Sequence, residues 1–214
     1  MVKLQDILNK LGNDIMSVIV LSRNLGYDFQ ELVEELSKTA AAKHSGLKKE
    51  PLHFRDRMIA VVRTKDGKIK LDEKGRPMIR DTGWSLNGIT NAGLAEVAGL
   101  ILTDVGGTAF DYIAIGTGTT AFDATQTALE AEVARKAGTG SRVTTSVTND
   151  TAQLVATFSS ADGLSGTHAI TESGVFNAST GGTMLCRQTF AALNINWDAG
   201  DSLQVTWKIQ ITSA

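Results

Sequence analysis

Cysteine and proline are nearly absent from this chain. Among its 214 residues there is one cysteine, Cys186, and there are two prolines. A single cysteine excludes an internal disulfide and any metal site that needs several thiolates from one copy of the chain. We therefore expect Cys186 to be a buried thiol on a strand.

Long hydrophobic runs are absent as well. The longest dense apolar run covers residues 16–21, whereas about 20 apolar residues are needed to cross a bilayer. The N terminus has no apolar segment followed by a small-residue cleavage site. The sequence therefore predicts no membrane contact, no secretory signal and synthesis in a cytoplasm.

Residues that usually carry catalysis or bind metals are sparse. His44, His53 and His168 are too far apart for a metal-binding helix, and no G-x-S-x-G nucleophile motif occurs. Glu172 would serve as a general acid only with a partner such as Asp201 beside it, and no spacing rule brings the two together. We expect a protein that is not an enzyme and has no catalytic residue, cofactor or metal.

The stretch I-A-I-G-T-G-T-T-A, residues 113–121, has the outline of a dinucleotide-binding turn. Such a turn needs a helix that begins inside the glycine motif, so that its amides meet the pyrophosphate. Here Thr127 and Glu130 form a capping box, which predicts a short helix over residues 127–135, about eleven residues beyond Gly116. That helix is aimed elsewhere, so no nucleotide site is predicted.

Glycine, in contrast, is frequent, with 21 residues, which is typical of a chain with many turns. Gly116 and Gly118 are predicted to let the chain leave a strand at dihedrals that other residues avoid. Tight turns between strands are predicted at Gly174, Gly181 and Gly182.

Short strands dominate the pattern from residue 110 onward. The clearest is residues 202–211, in which apolar and polar residues alternate strictly, so that Trp207 is expected to be buried. Further strands are predicted over residues 142–148, 153–159, 168–176 and 184–191. The predicted fold is mainly β (α+β overall), an antiparallel β-sandwich with one short helix. An ion pair of Glu172 with Arg135 is predicted to tie that helix to the sheet.

The N-terminal part has a different pattern. Apolar residues spaced by three and four predict amphipathic helices over residues 4–25 and 28–43. Apolar strands over residues 58–63 and 68–71 flank the turn signal Asp66-Gly67 and predict a basic β-hairpin. We place the domain boundary near residue 81, with an attachment region over residues 1–80 and the sandwich over residues 81–214.

Charge is distributed unevenly around a net value of -2. Residues 43–80 contain 12 basic and 5 acidic side chains, whereas residues 81–214 contain 5 and 12. The basic segment lacks the interleaved aromatics of a nucleic-acid platform, so we expect it to bind acidic protein surface, including another copy of the chain. The interface candidates are Lys48, Lys49, Arg55, Arg57, Arg63, Lys65, Lys68 and Lys70.

Five segments, taken in order, resemble a module of tailed-bacteriophage structural proteins, in particular those described as phage tail fibre or tail-collar fibre proteins. The resemblance covers about half of the chain, roughly residues 89–211. Its segments are I-A-I-G-T-G-T-T-A (113–121), T-A-L-E-A-E-V-A-R (127–135), I-T-E-S-G-V-F-N-A (170–178), G-G-T-M-L-C-R (181–187) and D-S-L-Q-V-T-W-K-I (201–209).

This resemblance implies a structural component of the virion, made in the host bacterial cytoplasm, that forms a homo-oligomer and attaches to other virion proteins. A trimer is the expectation by analogy. Capsid decoration and a neck position are alternatives within the virion. A carbohydrate-binding module that recognises a host glycan is the alternative from another class, and it would need Trp84 or Trp197 exposed on a loop.

Overall fold

The computed structural model describes residues 52–86, 88–101 and 104–213. All of them belong to a compact unit that spans Pro51–Ala214. The helices predicted over residues 4–25 and 28–43 lie outside the described residues, as do the interface candidates Lys48 and Lys49.

Nine strands form two antiparallel sheets in the described part of the chain. One sheet, called sheet I, has the strand order β2-β1-β9-β6-β5, and the other, sheet II, has the order β4-β3-β7-β8. The mainly β, antiparallel architecture is therefore confirmed. The strands are β1 (Leu52–Arg63), β2 (Ile79–Asp81), β3 (Tyr112–Gly116), β4 (Glu132–Ala137), β5 (Thr139–Val143), β6 (Thr151–Phe158), β7 (Thr167–Phe176), β8 (Met184–Asn196) and β9 (Ser202–Ser213).

Both sheets contribute to one apolar core, an arrangement consistent with the predicted sandwich. Trp207, on β9, is fully buried in this core, as its alternating strand predicts. Ile211, near the end of the same strand, is instead half exposed. Other fully buried core residues include Met58, Phe158, Ile113, Ile170, Leu193 and Trp197.

Strand β1 is the longest partner of β9, and this moves the expected domain boundary. The two strands pair along their lengths, from Leu52 opposite Ser213 to Arg63 opposite Ser202. Alternate residues of β1, including Met58 and Val62, are fully buried in the core. The boundary expected near residue 81 thus falls inside the compact unit, which begins at Pro51.

The predicted basic β-hairpin is only partly formed. Residues 68–71 do not form a regular strand, and only isolated bridges join Arg63 to Ile69 and Leu71 to Pro77. The N–H of Lys70 donates to the carbonyl of Val62 at 2.9 Å. Residues 64–77 therefore form a short projection from the end of β1.

One α-helix, α1 (Asn91–Ile101), occurs in the described residues, and it packs on β8. The helix predicted over residues 127–135 is wrong, because residues 132–137 form strand β4 at the edge of sheet II. The Glu130 carboxylate accepts the N–H groups of Thr119 and Thr120 at 2.7 and 2.8 Å, and so does not cap a helix. Tertiary hydrogen bonds override the local capping pattern here.

The strand predicted over residues 142–148 is also displaced, since β5 ends at Val143. Beyond it, the Asp150 carboxylate accepts the N–H groups of Thr145, Ser146 and Val147 at 2.8 to 2.9 Å. A carboxylate that binds three consecutive amides stabilises a turn, and the next strand starts only at Thr151.

In the described residues, no helix has the length and apolar character required to cross a membrane.

Candidate functional site

Glu172 and Arg187 form the most deeply buried ion pair of the described residues. They lie on the neighbouring strands β7 and β8, and the side chains of both are fully buried. Arg187 Nε donates to Glu172 Oε2 at 2.8 Å. Burying two charges costs several kcal/mol unless their other polar atoms also find partners, so the surrounding hydrogen bonds decide what this pair does.

The Glu172 carboxylate is surrounded by backbone amides from the loop between β3 and β4. The N–H groups of Gly118 and Ala131 donate to Oε1 at 2.9 and 2.8 Å. The N–H of Glu130 donates to Oε2 at 3.1 Å. With Arg187, the carboxylate thus receives four hydrogen bonds, and three of them hold the two ends of one loop, residues 117–131.

The two glycines of the dinucleotide-like motif, Gly116 and Gly118, make room for the Glu172 carboxylate. A Cβ atom on Gly116 or on Gly118 would lie 2.5 Å from Glu172 Oε1, closer than real Cβ contacts occur. Only glycine allows the backbone to approach the side chain so closely. The two glycines therefore accommodate an internal carboxylate at the place where a dinucleotide motif would accommodate a phosphate.

Arg187 holds the middle of the same loop. Its Nη1 donates to the carbonyl of Thr120 at 3.0 Å and to Gln126 Oε1 at 3.2 Å. The guanidinium is a rigid fork of donors, so it fixes two points of the loop relative to sheet II. The 117–131 loop is thus held against the outer face of sheet II by both members of the ion pair.

A small apolar cluster completes the anchor beneath the loop. Leu129 packs with Phe176, Met184 and Ala114 on this outer face, and all four are buried. Gly174 makes room for Leu129, since a Cβ there would lie 3.1 Å from Leu129 Cδ2 and 2.9 Å from the carbonyl oxygen of Cys186. Gly174 lies within strand β7 and not in the tight turn predicted for it.

Arg135 has different partners from the predicted one. It pairs with Glu132, with 2.6 Å between Nη2 and Oε2, and its guanidinium lies 3.5 Å from the ring centre of Phe176. Its Nη1 also donates to the carbonyl of Gly181 at 2.7 Å. The predicted Glu172 pair with Arg135 is therefore replaced by two separate pairs, Glu172 with Arg187 and Arg135 with Glu132.

The last of the five segments quoted in the sequence analysis, residues 201–209, joins this network through Trp207. Its Nε1 donates to Ser173 Oγ at 3.0 Å, and Ser173 Oγ donates to the carbonyl of Ala114 at 2.8 Å. Ser173 follows Glu172 on β7, and Ala114 lies on β3. All five segments, although dispersed in the sequence, thus meet in one region of the structure.

The other acidic candidate lies in a different setting. The Asp201 carboxylate pairs with Lys70 and accepts the N–H of Asn196 at 2.9 Å. Glu172 has no hydrogen bond to Asp201 among the contacts of the described residues. The geometry does not bring them together as an acid pair.

The two tryptophans considered for glycan binding differ in exposure. Trp197 is fully buried, and its Nε1 donates to His168 Nδ1 at 2.9 Å. His168 lies on strand β7, within the strand predicted over residues 168–176. Trp84 is half-buried, with the Arg55 guanidinium 5.4 Å from its ring centre. Trp197 is therefore excluded as an exposed aromatic platform.

Some of the basic interface candidates have partners in their own chain, and the others are exposed. Arg57 pairs with Asp81, Lys70 pairs with Asp201, and Arg63 donates to the carbonyl of Gly67 at 3.1 Å. Each of these three, like Arg55 on Trp84, has a partner in its own chain. Lys65 and Lys68 are exposed on the projection.

Asp56 and Cys186 are two further buried ionisable groups. The Asp56 carboxylate accepts Gln188 Nε2 at 2.6 Å and the N–H of Gly88 at 3.2 Å. Burial raises the pKa of Asp56, although both hydrogen bonds oppose the shift. Burial also raises the pKa of the Cys186 thiol, and the charge of Asp56 raises it further. Cys186 is a free, fully buried strand thiol, as predicted.

Sequence reasoning missed Arg187 as the partner of Glu172. Its signal is visible in retrospect, because it is the one charged residue of β8, in the sequence M-L-C-R-Q-T-F-A-A-L-N-I-N. A lone arginine in a buried strand requires an internal anion. No cluster of three or more potential metal ligands occurs in the part of the chain that the structure describes.

Comparison with known proteins gives no identification. No family model matches the sequence. No curated protein and no solved structure shows significant similarity to it.

Proposed function

We propose that this protein is a non-enzymatic structural component of a tailed-bacteriophage virion, one that assembles symmetrically and attaches to other virion proteins. The observation that carries the proposal is the convergence of the five family-like segments on the Glu172–Arg187 anchor. Residues that give a sequence its likeness to a family normally form either its reactive site or its fold-specifying contacts. Here every polar group of the anchor is engaged by its own chain, which favours the second explanation.

The anchor also explains how such a protein presents a surface. A 15-residue loop is long for a connection between neighbouring strands, and ordered loops of this length are usually functional. The ion pair and Leu129 hold it on sheet II, so the exposed loop has a fixed shape. A rigid exposed loop suits repeated, identical contacts in an assembly better than it suits catalysis.

The carbohydrate-binding alternative has lost one of its two candidate aromatics, because Trp197 lies in the core. Trp84 is covered on one face by Arg55. Sugar platforms need an accessible ring face, so virion assembly is the better-supported function.

The test is quantitative mass spectrometry of particles purified by two rounds of density banding from cells that produce this chain during phage growth. We expect the chain to band with the particles at a constant ratio to the major capsid protein. Several hundred copies per particle would indicate capsid decoration, and a small multiple of the tail symmetry would indicate a tail or neck position. A chain that is abundant in the lysate and absent from the banded particles would overturn the proposal.

A further inference from the structure

Helix α1 leaves most of its large apolar side chains exposed, which is unusual for a surface helix. Its buried residues are Gly93 and Gly99, whereas Leu94, Leu100 and Ile101 are exposed. A surface helix normally turns its large apolar residues toward the core and its small or polar ones toward water. This helix turns its two glycines and the partly buried Val97 inward. Its remaining large apolar side chains, Leu94, Leu100 and Ile101, are available for a contact outside the unit.

The inward glycines are required by close packing. A Cβ on Gly93 would lie 2.6 Å from the carbonyl oxygen of Leu185 on β8. A Cβ on Gly99 would collide with the carbonyl oxygen of Gly106 in the following loop. The two glycines therefore allow α1 to lie close to β8 and to the following loop, and a larger residue at either position would force these contacts apart.

The outer side of α1 also lacks charge. Glu96 is the only charged residue of the helix. Its Oε1 accepts the N–H of Thr108 at 2.6 Å and Asn177 Nδ2 at 3.2 Å, so it serves to hold the following loop. We use the name apolar helix surface for the exposed large apolar residues of α1 and of the segment after it, which are Leu94 (45% exposed), Leu100 (44%), Ile101 (75%) and Val105 (63%).

Exposed negative charge follows this surface in the sequence. Between residues 81 and 134 the chain contains seven acidic residues and no lysine or arginine, and of these Asp81 and Glu132 pair with Arg57 and Arg135. Two of the acids, Asp104 and Asp111, are exposed on the segment that follows α1. A partner that covers the apolar helix surface therefore needs apolar side chains flanked by positive charge.

The projection formed by residues 64–77, which we call the prong, has this combination. Ile69 and Leu71 are 40% and 55% exposed at its side. Lys65 and Lys68 are exposed beside them. The prong contains five basic and three acidic side chains in all, of which Arg76 pairs with Asp72 and Lys70 pairs with Asp201. It matches the apolar helix surface in both polarity and charge.

The prong is held in a defined position. Lys70 lies between the two exposed apolar residues in sequence and pairs with the buried Asp201. The N–H of Met78 donates to the carbonyl of Lys70 at 2.8 Å. These contacts make Ile69 and Leu71 a fixed feature, so little conformational entropy is lost when they dock.

We propose that the apolar helix surface of one copy binds the prong of a second copy. The contact joins different surfaces of identical chains, so it repeats head to tail and closes into a ring when the rotation per copy allows. This inference rests on the self-assembly part of the proposed function and names the two surfaces that meet.

Crosslinking of the full-length chain tests the contact directly. Two variants, Leu71→Cys and Ile101→Cys, carry different tags and are mixed with a short bis-maleimide. Cys186 is fully buried, so the new thiols react first. We expect a mixed crosslink between the two variants and little crosslinking of either variant alone. Val147→Cys, exposed on a distant turn, is the matched control and should not crosslink to Ile101→Cys.

Sedimentation of charged variants gives the second measurement. Ile101→Lys and Lys68→Glu should each weaken self-association by about tenfold or more, while Val147→Lys leaves it unchanged. Circular dichroism of each variant confirms that it is folded. A predominant crosslink of Ile101→Cys with itself, association that Ile101→Lys does not weaken, or a monomeric wild-type chain would overturn the inference. A monomeric chain that still bands with particles would leave the virion role standing.

Discussion

Glu172 and Arg187 lie on adjacent strands with 2.8 Å between Oε2 and Nε, and both bind the same loop. A buried ion pair contributes little net stability compared with an apolar pair of the same size. Its effect here is on position, because the carboxylate holds both ends of the 117–131 loop and the guanidinium holds its middle. The pair specifies where the loop lies on sheet II.

Removal of one charge from this pair should be strongly destabilising. Glu172→Gln keeps the shape of the side chain but leaves Arg187 as an uncompensated buried charge. We expect a loss of about 3–5 kcal/mol in the free energy of unfolding, measured by urea denaturation. The matched control is Glu132→Gln. Its carboxylate is 31% exposed, and Arg135 keeps its hydrogen bonds to the carbonyls of Ala178 and Gly181, so a smaller loss of about 1 kcal/mol is expected. Equal losses in both variants would contradict the special role of the buried pair.

Substitution of Gly118 tests whether glycine is needed where the loop lies against the Glu172 carboxylate. Gly118→Ala places a methyl group 2.5 Å from Glu172 Oε1, so the carboxylate or the loop must move, at a cost of about 1–3 kcal/mol. Gly140→Ala is the control, because a Cβ there meets nothing within 4 Å and the residue is exposed on β5. We expect Gly140→Ala to change the unfolding free energy by less than about 0.5 kcal/mol. A neutral Gly118→Ala would show that the loop relaxes freely.

Strand patterns were the part of this fold that local sequence predicted best. The alternation of residues 202–211 predicts one face in the core and one polar face, and β9 confirms it from Leu203 to Ile209, with Trp207 buried. The pattern reverses at the end of the strand, where Gln210 is buried and Ile211 is half exposed. Alternation is imposed by the geometry of a single strand, so it is readable without knowledge of the partners. Strand β7 was predicted within one residue of its observed start for the same reason.

The candidate site was predictable only in part, because its contacts join distant segments. Gly116, Gly118 and Glu172 were recognised as structural. The predicted reason for the glycines was wrong, because neither has a positive φ and both are needed for close approach to Glu172. Arg187 was not assigned to Glu172, since no local rule relates residues on different strands. The capping pattern at Thr127 and Glu130 was misleading for a related reason. Glu130 binds Thr119 and Thr120 across the loop, and such long-range hydrogen bonds leave no periodic trace in the sequence.

Truncation should reveal that β1 belongs to the sheet. A fragment of residues 81–214 lacks Met58, Ala60 and Val62, which are fully buried, and it leaves the long edge of β9 without a partner. We expect this fragment to lack near-ultraviolet dichroism and to aggregate, whereas residues 51–214 fold. A cooperative thermal transition in the 81–214 fragment would restore the boundary expected from charge.

Asp56 should give the stability of the protein an identifiable pH dependence. Burial raises the pKa of this carboxyl above its ordinary value, which is about 3.9 in an unfolded chain. Because the unfolded chain has the lower pKa, it releases the Asp56 proton first as the pH rises. The free energy of unfolding therefore falls with rising pH until the pH passes the raised pKa of the folded protein. The contribution of Asp56 is fully present below the ordinary pKa and is lost as the pH rises through the folded one.

Asp56→Asn isolates this contribution, because an amide does not titrate and the Gln188 amide can turn to present its oxygen to the new donor. Relative to the wild type, we expect the variant to gain unfolding free energy between pH 4 and pH 7, by about 1.4 kcal/mol for each unit of the pKa shift within that range. Asp81→Asn is the control of opposite sign. The hydrogen bond from Arg57 lowers the pKa of Asp81, so this variant should lose most at pH 7 and less as the pH falls. A difference in unfolding free energy between Asp56→Asn and the wild type that stays constant from pH 4 to pH 7 would show that the pKa of Asp56 is not raised in the folded protein. The assignment of the pH dependence to this buried carboxyl would then be wrong.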